Sequence, residues 1–313
     1  LDASAFSPGP VTLDGAGGDD TLHGSFGDDN LLGGSGTDRV VSTGTTNQVL
    51  TDATLEADSN DTLVGIEEAE LFGSAGVNVL DASGFSGDTT LYGSPGDDTL
   101  TGGSGTDLLR QSVDANQSLS DSQLTGQGTD QLSGIELAWL TGGSNDNILD
   151  AQAFTSGPVT LDGAQGNDTL VGTSSDDQLI GSEGIDQVQQ QSDSDQWIVD
   201  SMLSGEGLDQ LFGIEEAQLS GGSGDNLLDA TAFNNGPVTL SGLDGNDTLR
   251  GSAGNDSLSG GDGLDRVEQT IDADQTLSNT QLVGRGTDGL DAVETAYLVG
   301  GSGDNVISAS LFT

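Results

Sequence analysis

The chain has 313 residues, with 52 acidic side chains, five arginines, no lysine and one histidine, so its formal net charge is −47. This charge argues against nucleic acid as a partner, because that binding requires cations that neutralise phosphates. The absence of cysteine excludes disulfides, thiolate zinc sites and cysteine nucleophiles. No apolar stretch approaches the roughly 20 residues of a membrane span, so we also expect no membrane insertion.

Self-similarity is the first feature met along the chain. The phrase Leu-Asp-Ala-x-x-Phe, or a weaker copy of it, begins at five positions: Leu1, Leu80, Leu149, Leu228 and Ile307. These positions define four tandem modules and the start of a fifth: 1–79, 80–148, 149–227, 228–306 and 307–313. We expect one continuous solenoid over 1–313. The opening in mid-pattern suggests a segment of a longer protein.

Each module contains a block of nine-residue repeats close to G-G-x-G-x-D-x-U-x, where U is apolar. The second module has two repeats and the others three, and the blocks are Gly15–Val41, Gly93–Arg110, Gly163–Gln189 and Gly242–Glu268. The U residues are Leu22, Leu31, Val40, Leu100, Leu109, Leu170, Leu179, Val188, Leu249, Leu258 and Val267. We predict a short strand that buries U and a glycine-rich turn, so that nine residues form half a coil. Helix is untenable, because each glycine would cost about 1 kcal/mol.

The segments between the blocks are predicted to continue the same solenoid. Apolar residues recur 12 and 17 positions after each block's last Asp, as at Leu50 and Leu55. A Gly-Ile-Glu-x-Ala-x-Leu phrase follows at Gly65 and in the next two modules. The phenylalanines of the repeated opening phrase are predicted to form a core stack: Phe6, Phe85, Phe154, Phe233 and Phe312. The predicted fold is all-β, a right-handed parallel β-roll or β-solenoid with calcium in its turns.

The sixth-position Asp of each repeat points to calcium. Ca²⁺ prefers six to eight oxygen ligands, which carboxylates and inward-turned glycine-rich carbonyls can supply. One turn cannot surround an ion, so two turns stacked one coil apart, 18 residues, must share it. The best-supported pairs are Asp20 with Asp38, Asp168 with Asp186, and Asp247 with Asp265.

The remaining candidate ligands have poorer partners. Asp29, Asp177 and Asp256 lie on the opposite edge, where the neighbour is a Phe-x-x-Gly-Pro bend. Asp98 and Asp107 are expected on opposite sides of the coil. The alternative is that Asp only caps its turn through hydrogen bonds. The same residue in eleven repeats favours calcium.

These nonapeptides resemble the RTX, or haemolysin-type, calcium-binding repeats of secreted bacterial proteins. Strict repeats cover about a third of the chain, and the rest resembles spacers of long proteins of that class. The resemblance implies a parallel β-roll that folds on binding several Ca²⁺ ions outside the cell, with the sixth-position Asp as a ligand. The turn before Asp177 departs most, since Thr173 and Ser175 replace glycines. A secreted or extracellular location follows, with the cell surface as one setting.

No enzyme is predicted. His23 has no second histidine to work with. In the pairs Glu67-Glu68 and Glu215-Glu216, adjacent strand residues face opposite sides, so one glutamate per coil is interpreted as outward. Trp139, Trp197, Tyr92 and Tyr297 are interpreted as scattered residues that form no row of sugar-stacking platforms. The expected function is a rigid calcium-stiffened spacer or scaffold of an adhesin, surface layer or fibre, with homotypic end-to-end or lateral assembly. Alternatives are an accessory domain of a secreted enzyme and, ranked last for want of a Thr ladder, an ice-binding solenoid.

Overall fold

The structure is a computed structural model that describes residues 1–6 and 9–313, and within these residues it consists of strands and turns without helix. Two compact units are formed, Leu1–Gly142 with Ala151–Val159, and Gly143–Asp150 with Thr160–Thr313. In each unit the strands lie in two sheets in which parallel pairing dominates. The prediction of an all-β parallel β-roll is confirmed.

The first unit has ten strands of its own in one sheet and six in the other. The first sheet contains β1 (Thr12–Asp14), β3 (Asn30–Leu32), β5 (Gln48–Thr51), β6 (Thr54–Glu56), β7 (Asn60–Val64), β9 (Val79–Gly84), β11 (Thr99–Thr101), β13 (Gln117–Ser120), β14 (Gln123–Thr125) and β15 (Thr129–Ser133). The second contains β2 (Thr21–Leu22), β4 (Arg39–Ser42), β8 (Glu68–Phe72), β10 (Asp88–Tyr92), β12 (Leu108–Ser112) and β16 (Leu137–Thr141). Two strands have residues in both units: β17 (Ile148–Ala153) and β18 (Val159–Asp162).

The second unit has the same organisation. One sheet contains β19 (Thr169–Val171), β21 (Gln187–Gln191), β25 (Glu216–Ser220), β27 (Val238–Asp244), β29 (Ser257–Asp262), β31 (Gln275–Ser278), β32 (Gln281–Val283), β33 (Thr287–Asp291) and β35 (Ile307–Leu311). The other contains β20 (Gln178–Ile180), β22 (Gln196–Val199), β23 (Met202–Gly205), β24 (Gly207–Phe212), β26 (Leu227–Ala232), β28 (Thr248–Arg250), β30 (Arg266–Thr270) and β34 (Thr295–Val299).

Successive nonapeptides alternate between the two sheets, as β2, β3 and β4 do. Strands one coil apart pair in parallel with a register of 18 residues, for example Leu22 with Val40 and Leu249 with Val267. All eleven U side chains are buried, with at most 1% of their surface exposed. The predicted half-coil of nine residues and its inward apolar residue are therefore confirmed.

The spacer segments do not continue the 18-residue coil, and that prediction was wrong. In module 1, β5, β6 and β7 form an antiparallel hairpin series in which Leu50 lies opposite Leu55. The same insertion recurs in the other modules as β13–β15, β22–β24 and β31–β33. The reason is local, because two apolar residues five positions apart flank a polar turn and bury each other best when the chain reverses between them.

The hairpin lengthens the coil that contains it. Leu31 pairs with Leu63, and Val40 pairs with Ala69, so these registers are 32 and 29 residues instead of 18. In the first unit the two hairpins, β5–β7 and β13–β15, lie in the same sheet. In the second unit β22–β24 and β31–β33 lie in different sheets. The last Asp residues of the two blocks are 69 residues apart in the first unit and 79 in the second.

The predicted phenylalanine stack is only partly present. Phe85, Phe154 and Phe233 are fully buried, as expected. Phe6 is 46% exposed and Phe312 is partly exposed, so for these two residues the prediction was wrong. Both lie in the outermost coils of the sequence, where a neighbouring coil covers them on one side only.

Candidate metal centres

Carboxylates of successive coils form ladders along the turns. The backbone N–H of Asp20 donates to Oδ1 of Asp38 at 2.8 Å. The N–H of Asp168 donates to Asp186, and that of Asp247 to Asp265, each at 2.7 Å. The structure therefore brings together all three pairs that the sequence singles out. Each first carboxylate stands one coil from the second.

The second oxygen of these carboxylates is the unusual feature. The buried Oδ2 atoms of several of these aspartates accept no hydrogen bond: those of Asp20, Asp38, Asp186, Asp247 and Asp265. Buried polar atoms are almost always hydrogen-bonded, and an unsatisfied charged oxygen is costly. These oxygens are therefore suited to be ligands of a cation.

Backbone carbonyls converge on the same places. A Cβ added to Gly15 would lie 2.6 Å from Asp20 Oδ2 and 2.5 Å from the carbonyl oxygen of Gly33. A Cβ on Gly242 would likewise meet Asp247 Oδ2 and, at 2.5 Å, the carbonyl oxygen of Gly260. The first glycine of the repeat thus leaves open a cradle lined by a carboxylate oxygen and a carbonyl oxygen from the next coil. This donor set fits a hard cation such as Ca²⁺.

The backbone at the second repeat position distinguishes these turns from the others. It is left-handed in six repeats: Ala16 (φ 64°), Gly34 (110°), Ala164 (72°), Ser182 (75°), Leu243 (74°) and Gly261 (108°). These are the repeats of Asp20, Asp38, Asp168, Asp186, Asp247 and Asp265. In this conformation the N–H of Ala16 donates to Asp14 Oδ1 at 3.0 Å, away from Asp20. We call these six the open turns.

The other five repeats have closed turns, in which the second-position N–H donates to the carboxylate of its own Asp. Gly103 donates to Asp107 Oδ2 at 2.7 Å, and Ser252 donates to Asp256 Oδ2 at 2.6 Å. The same bond is made in the repeats of Asp29, Asp98 and Asp177. In these turns the Asp caps its own backbone, which is the alternative that the sequence left open.

The closed turns on the opposite edge have a partner that sequence reasoning missed. Val11, after the Gly-Pro bend, donates to Asp29 Oδ1 at 2.7 Å, as expected for that neighbour. On the other side, the N–H of Asp29 donates to Oδ1 of Asp61 in the hairpin at 2.9 Å. The equivalent bond is made in the other modules, where the acceptor lies 32 residues after the closed-turn Asp that donates. The acceptors of Asp98, Asp177 and Asp256 are Asp130, Asp209 and Asp288. The available signal was the sequence Gly-x-Gly-x-Asp, which ends at Asp130, Asp209 and Asp288 but is absent before Asp61.

Burial leaves these hairpin carboxyls poorly solvated. Burial raises the pKa of Asp130 to about 6 and that of Asp209 to about 7, with further upward pressure from the neighbouring Asp98 and Asp177 carboxylates. Burial also raises the pKa of Asp288 to about 6. The folded state therefore favours the protonated form of these three hairpin carboxyls more than the unfolded state does.

A glutamate one coil beyond each block's last Asp accepts the backbone N–H of that Asp, a role that the sequence did not predict. The N–H of Asp38 donates to Oε2 of Glu67 at 2.9 Å, and that of Asp186 donates to Glu215 at 3.0 Å. Glu136 and Glu294 do the same in the other modules. The signal in the sequence was the constant spacing of 29 residues after each block's last Asp.

Electrostatic repulsion accompanies these ladders. Burial raises the pKa of Asp186 and Asp265, and the nearby carboxylates of Glu215 and Glu294 raise it further. Across residues 1–6 and 9–313, no group of three or more His, Cys, Asp or Glu side chains forms a metal cluster. The remaining oxygen ligands of a cation here would therefore come from backbone carbonyls.

A family model of the RTX calcium-binding nonapeptide repeat matches four segments: 12–42, 83–110, 160–188 and 239–268. The chain carries RTX calcium-binding repeats. RTX repeats bind Ca²⁺ in several of their turns, and repeats of this family occur in secreted bacterial proteins. RTX repeats are generally structural and calcium-binding, and the match names no catalytic family. The hairpins and the Gly-Ile-Glu turns lie outside the matched RTX segments.

No curated protein matches the chain. Among the described residues, no helix combines the length and apolar character needed to span a membrane.

A row of aromatic side chains lies on the outer face of the first unit, so the interpretation of Tyr92 and Trp139 as scattered was wrong. Phe72, Tyr92, Arg110 and Trp139 occupy one register on β8, β10, β12 and β16. The rings of Phe72 and Tyr92 stack at 3.9 Å. The guanidinium of Arg110 lies 4.2 Å from the Trp139 ring centre and 5.7 Å from that of Tyr92. The row binds four strands of one sheet together.

Proposed function

We propose that the chain is a calcium-stiffened extracellular spacer or scaffold whose open turns hold the ions. The observation that carries the proposal is the set of buried Oδ2 atoms without hydrogen bonds, arranged in pairs one coil apart. The proposed ligands are the six open-turn aspartates: Asp20, Asp38, Asp168, Asp186, Asp247 and Asp265. We propose a structural, capping role for the closed-turn residues Asp29, Asp98, Asp107, Asp177 and Asp256.

The physical reason is charge. A buried ionised oxygen without a partner destabilises the folded state by several kcal/mol, and two such oxygens one coil apart add mutual repulsion. A divalent cation reverses both effects and links two coils through a shared set of ligands. Folding and calcium binding are then coupled, as they are for other sites that exist only in the folded state.

A stiffening role follows from where the open turns lie. In the second unit, for example, Asp247 and Asp265 join the coils of β28 and β30, so a shared ion fixes the spacing of those coils. We propose one continuous solenoid over 1–313 that serves as a spacer in an adhesin, surface layer or fibre outside the cell. End-to-end or lateral contact between copies would extend it. The same coupling would suit an accessory domain of a secreted enzyme.

The test is a calcium titration of the metal-free chain, followed by far-UV circular dichroism. We expect a cooperative change from coil to β signal with calcium, and a much weaker change with magnesium. The variant Asp20→Asn/Asp247→Asn removes two open-turn carboxylates, and Asp29→Asn/Asp256→Asn is its matched control at closed turns. The open-turn variant should require more calcium and, by metal analysis, bind fewer ions than the parent chain. The control loses hydrogen bonds within its closed turns and is less stable, but it should bind as many ions as the parent chain. A β signal that persists in chelator would contradict calcium-coupled folding.

Small-angle X-ray scattering at several protein concentrations addresses the scaffold role. The calcium-bound chain should scatter as an elongated particle, and its apparent mass should rise with concentration if copies associate. A compact particle would contradict the continuous solenoid, and a constant mass up to high concentration would contradict assembly.

A further inference from the structure

Each ladder of open turns has a third level. The level is the Gly-Ile-Glu turn, which stands one coil beyond the last nonapeptide and pairs with it in parallel, as Val40 pairs with Ala69. The hydrogen bond from Asp38 N–H to Glu67 Oε2, at 2.9 Å, repeats the bond from Asp20 N–H to Asp38 Oδ1, at 2.8 Å. The glutamate therefore takes the place that the next repeat's Asp takes at the level below.

The oxygen-lined cradle is also repeated at this level. A Cβ on Gly33 would lie 2.6 Å from Asp38 Oδ2 and would clash with the carbonyl oxygen of Gly65. The cradle at Gly181 is lined by Asp186 Oδ2 and the Gly213 carbonyl, and the cradle at Gly260 is lined by Asp265 Oδ2 and the Ala292 carbonyl. These are the same two kinds of oxygen that line the cradle at Gly15.

The carboxylates that point into these upper cradles are completely buried. Asp38, Asp186 and Asp265 have 0% exposure, and within the described residues their Oδ2 atoms accept no hydrogen bond. In the lower cradle of module 1, Asp20 Oδ2 is likewise a buried atom that accepts no hydrogen bond, although Asp20 as a whole is partly exposed. An oxygen that is buried, charged and unpaired at both levels calls for a cation at both.

The backbone of the third level has the open-turn conformation. Gly65 has φ 64°, Gly213 has φ 59°, and the equivalent Ala292 has φ 48°. Ala292 holds this left-handed conformation although a side chain makes it unfavourable by about 1–2 kcal/mol. The Gly-Ile-Glu turn therefore imitates the upper half of a nonapeptide turn without its sequence.

We infer that modules 1, 3 and 4 each have a second divalent-cation site, between the last nonapeptide and the Gly-Ile-Glu turn. Its carboxylate ligands are Asp38 with Glu67, Asp186 with Glu215, and Asp265 with Glu294. The inference rests on the proposed calcium-binding role of the open turns. It extends that role to a turn outside the matched repeats.

Module 2 supplies an internal control. Its Gly134 has φ 62°, and Glu136 Oε2 accepts the N–H of Asp107 at 3.0 Å, so the third level is present. However, Gly103 N–H donates to Asp107 Oδ2 at 2.7 Å and closes the turn below. The carboxylate oxygen that would face a cation is already satisfied. Module 2 is therefore expected to lack the second site.

The test compares the number of bound calcium ions, by isothermal titration calorimetry and by metal analysis after gel filtration. The variant is Glu67→Gln/Glu215→Gln/Glu294→Gln, in which the amide oxygen still accepts the backbone N–H while the charge is lost. We expect one ion fewer in each of modules 1, 3 and 4, with the calcium-bound β signal retained. The matched control, Glu136→Gln, should bind as many ions as the parent chain.

The outcomes separate the two proposals. If the parent chain binds no calcium, the proposed function fails. If it binds calcium and the triple variant binds equally many ions with equal affinity, only the second site is overturned. An equal loss in Glu136→Gln would also overturn it, because module 2 is closed. If the triple variant fails to fold, each single variant should lose one ion, and retention of the parent number in all three would refute the inference.

Discussion

The strained second position of the open turns offers a sensitive test of the distinction between open and closed turns. Ala16, Ala164 and Leu243 have φ values of 64°, 72° and 74°, a region that non-glycine residues occupy at a cost of about 1–2 kcal/mol. Glycine removes that cost, but it makes the unfolded chain more flexible, which offsets about 0.4–1 kcal/mol. Each substitution by glycine should therefore stabilise the calcium-bound fold by about 0.5–1 kcal/mol. Leu243 loses little burial, because it is 38% exposed.

The variant Ala16→Gly/Ala164→Gly/Leu243→Gly should gain about 1.5–3 kcal/mol if the sites act independently. The assay is urea unfolding in saturating calcium, followed by circular dichroism, with the gain appearing as a higher midpoint at unchanged slope.

The matched control is Ser25→Gly/Thr173→Gly/Ser252→Gly, at the second position of closed turns. There φ is not left-handed, and the three hydroxyls donate to Asp29, Asp177 and Asp256. Glycine removes those hydrogen bonds and relieves no strain, so the control should lose stability by about 1 kcal/mol or more per site. A gain in the control, or no gain at the open turns, would refute the distinction between the two kinds of turn.

Three further predictions concern other parts of the molecule. Burial raises the folded-state pKa of three hairpin carboxyls above the unfolded value, so folding favours their protonated form: Asp130, Asp209 and Asp288. In saturating calcium these carboxyls should add stability as the pH falls from 8 to 5, and their contribution should be lost as the pH rises through about 6–7. Urea unfolding of the parent chain and of the triple Asp→Asn variant, followed by circular dichroism, checks this, and an equal pH dependence in both would contradict it. Arg110→Ala should lower the free energy of unfolding by about 1 kcal/mol, because the contacts with Tyr92 and Trp139 are lost. Tryptophan fluorescence should change as well. An unchanged unfolding midpoint would show that the aromatic row does not stabilise the fold. Leu55→Ala should lower the free energy of unfolding by about 2–5 kcal/mol, because Leu55 is buried opposite Leu50. The control Val64→Ala, at an exposed position, should change it by less than about 0.5 kcal/mol. Equal losses of the two variants in thermal unfolding would argue against the hairpin packing.

The nonapeptide blocks could be predicted because their period is also the period of the fold. Once nine residues make half a coil, the side chain of Leu22 must point inward and its neighbour in the same sheet must be Val40. The juxtaposition of Asp20 with Asp38 follows from the same count. These features depend only on spacing, which the sequence displays directly.

The open and closed turns could not be separated in this way. Ala16 and Ser25 occupy the same repeat position, and Ser182 is open although Ser252 is closed. The intrinsic preference of the residue therefore does not decide the choice. The carbonyl that approaches the first glycine does not decide it either, because Gly102 in a closed turn faces the Gly134 carbonyl as Gly33 in an open turn faces that of Gly65. Tertiary context therefore overrides local preference here.

The hairpins were missed for a related reason. Leu50 and Leu55 are spaced irregularly for a coil but suitably for a reversal, and the distinction depends on turn chemistry over a few polar residues. The role of Glu67 could not be predicted from the Glu67-Glu68 pair alone, because the pair does not show which of the two faces the turn. Its constant distance from the preceding Asp was the better guide.

The number of nonapeptides between two hairpins decides in which sheet the second hairpin lies. Because one nonapeptide is half a coil, adding or deleting one reverses the side on which everything downstream projects, while a change by two preserves it. Parity, not total length, thus decides whether neighbouring hairpins point the same way, as in the first unit, or opposite ways, as in the second. Gain or loss of a single repeat would therefore change neighbouring hairpins from the same side to opposite sides, or the reverse, without any substitution in a hairpin.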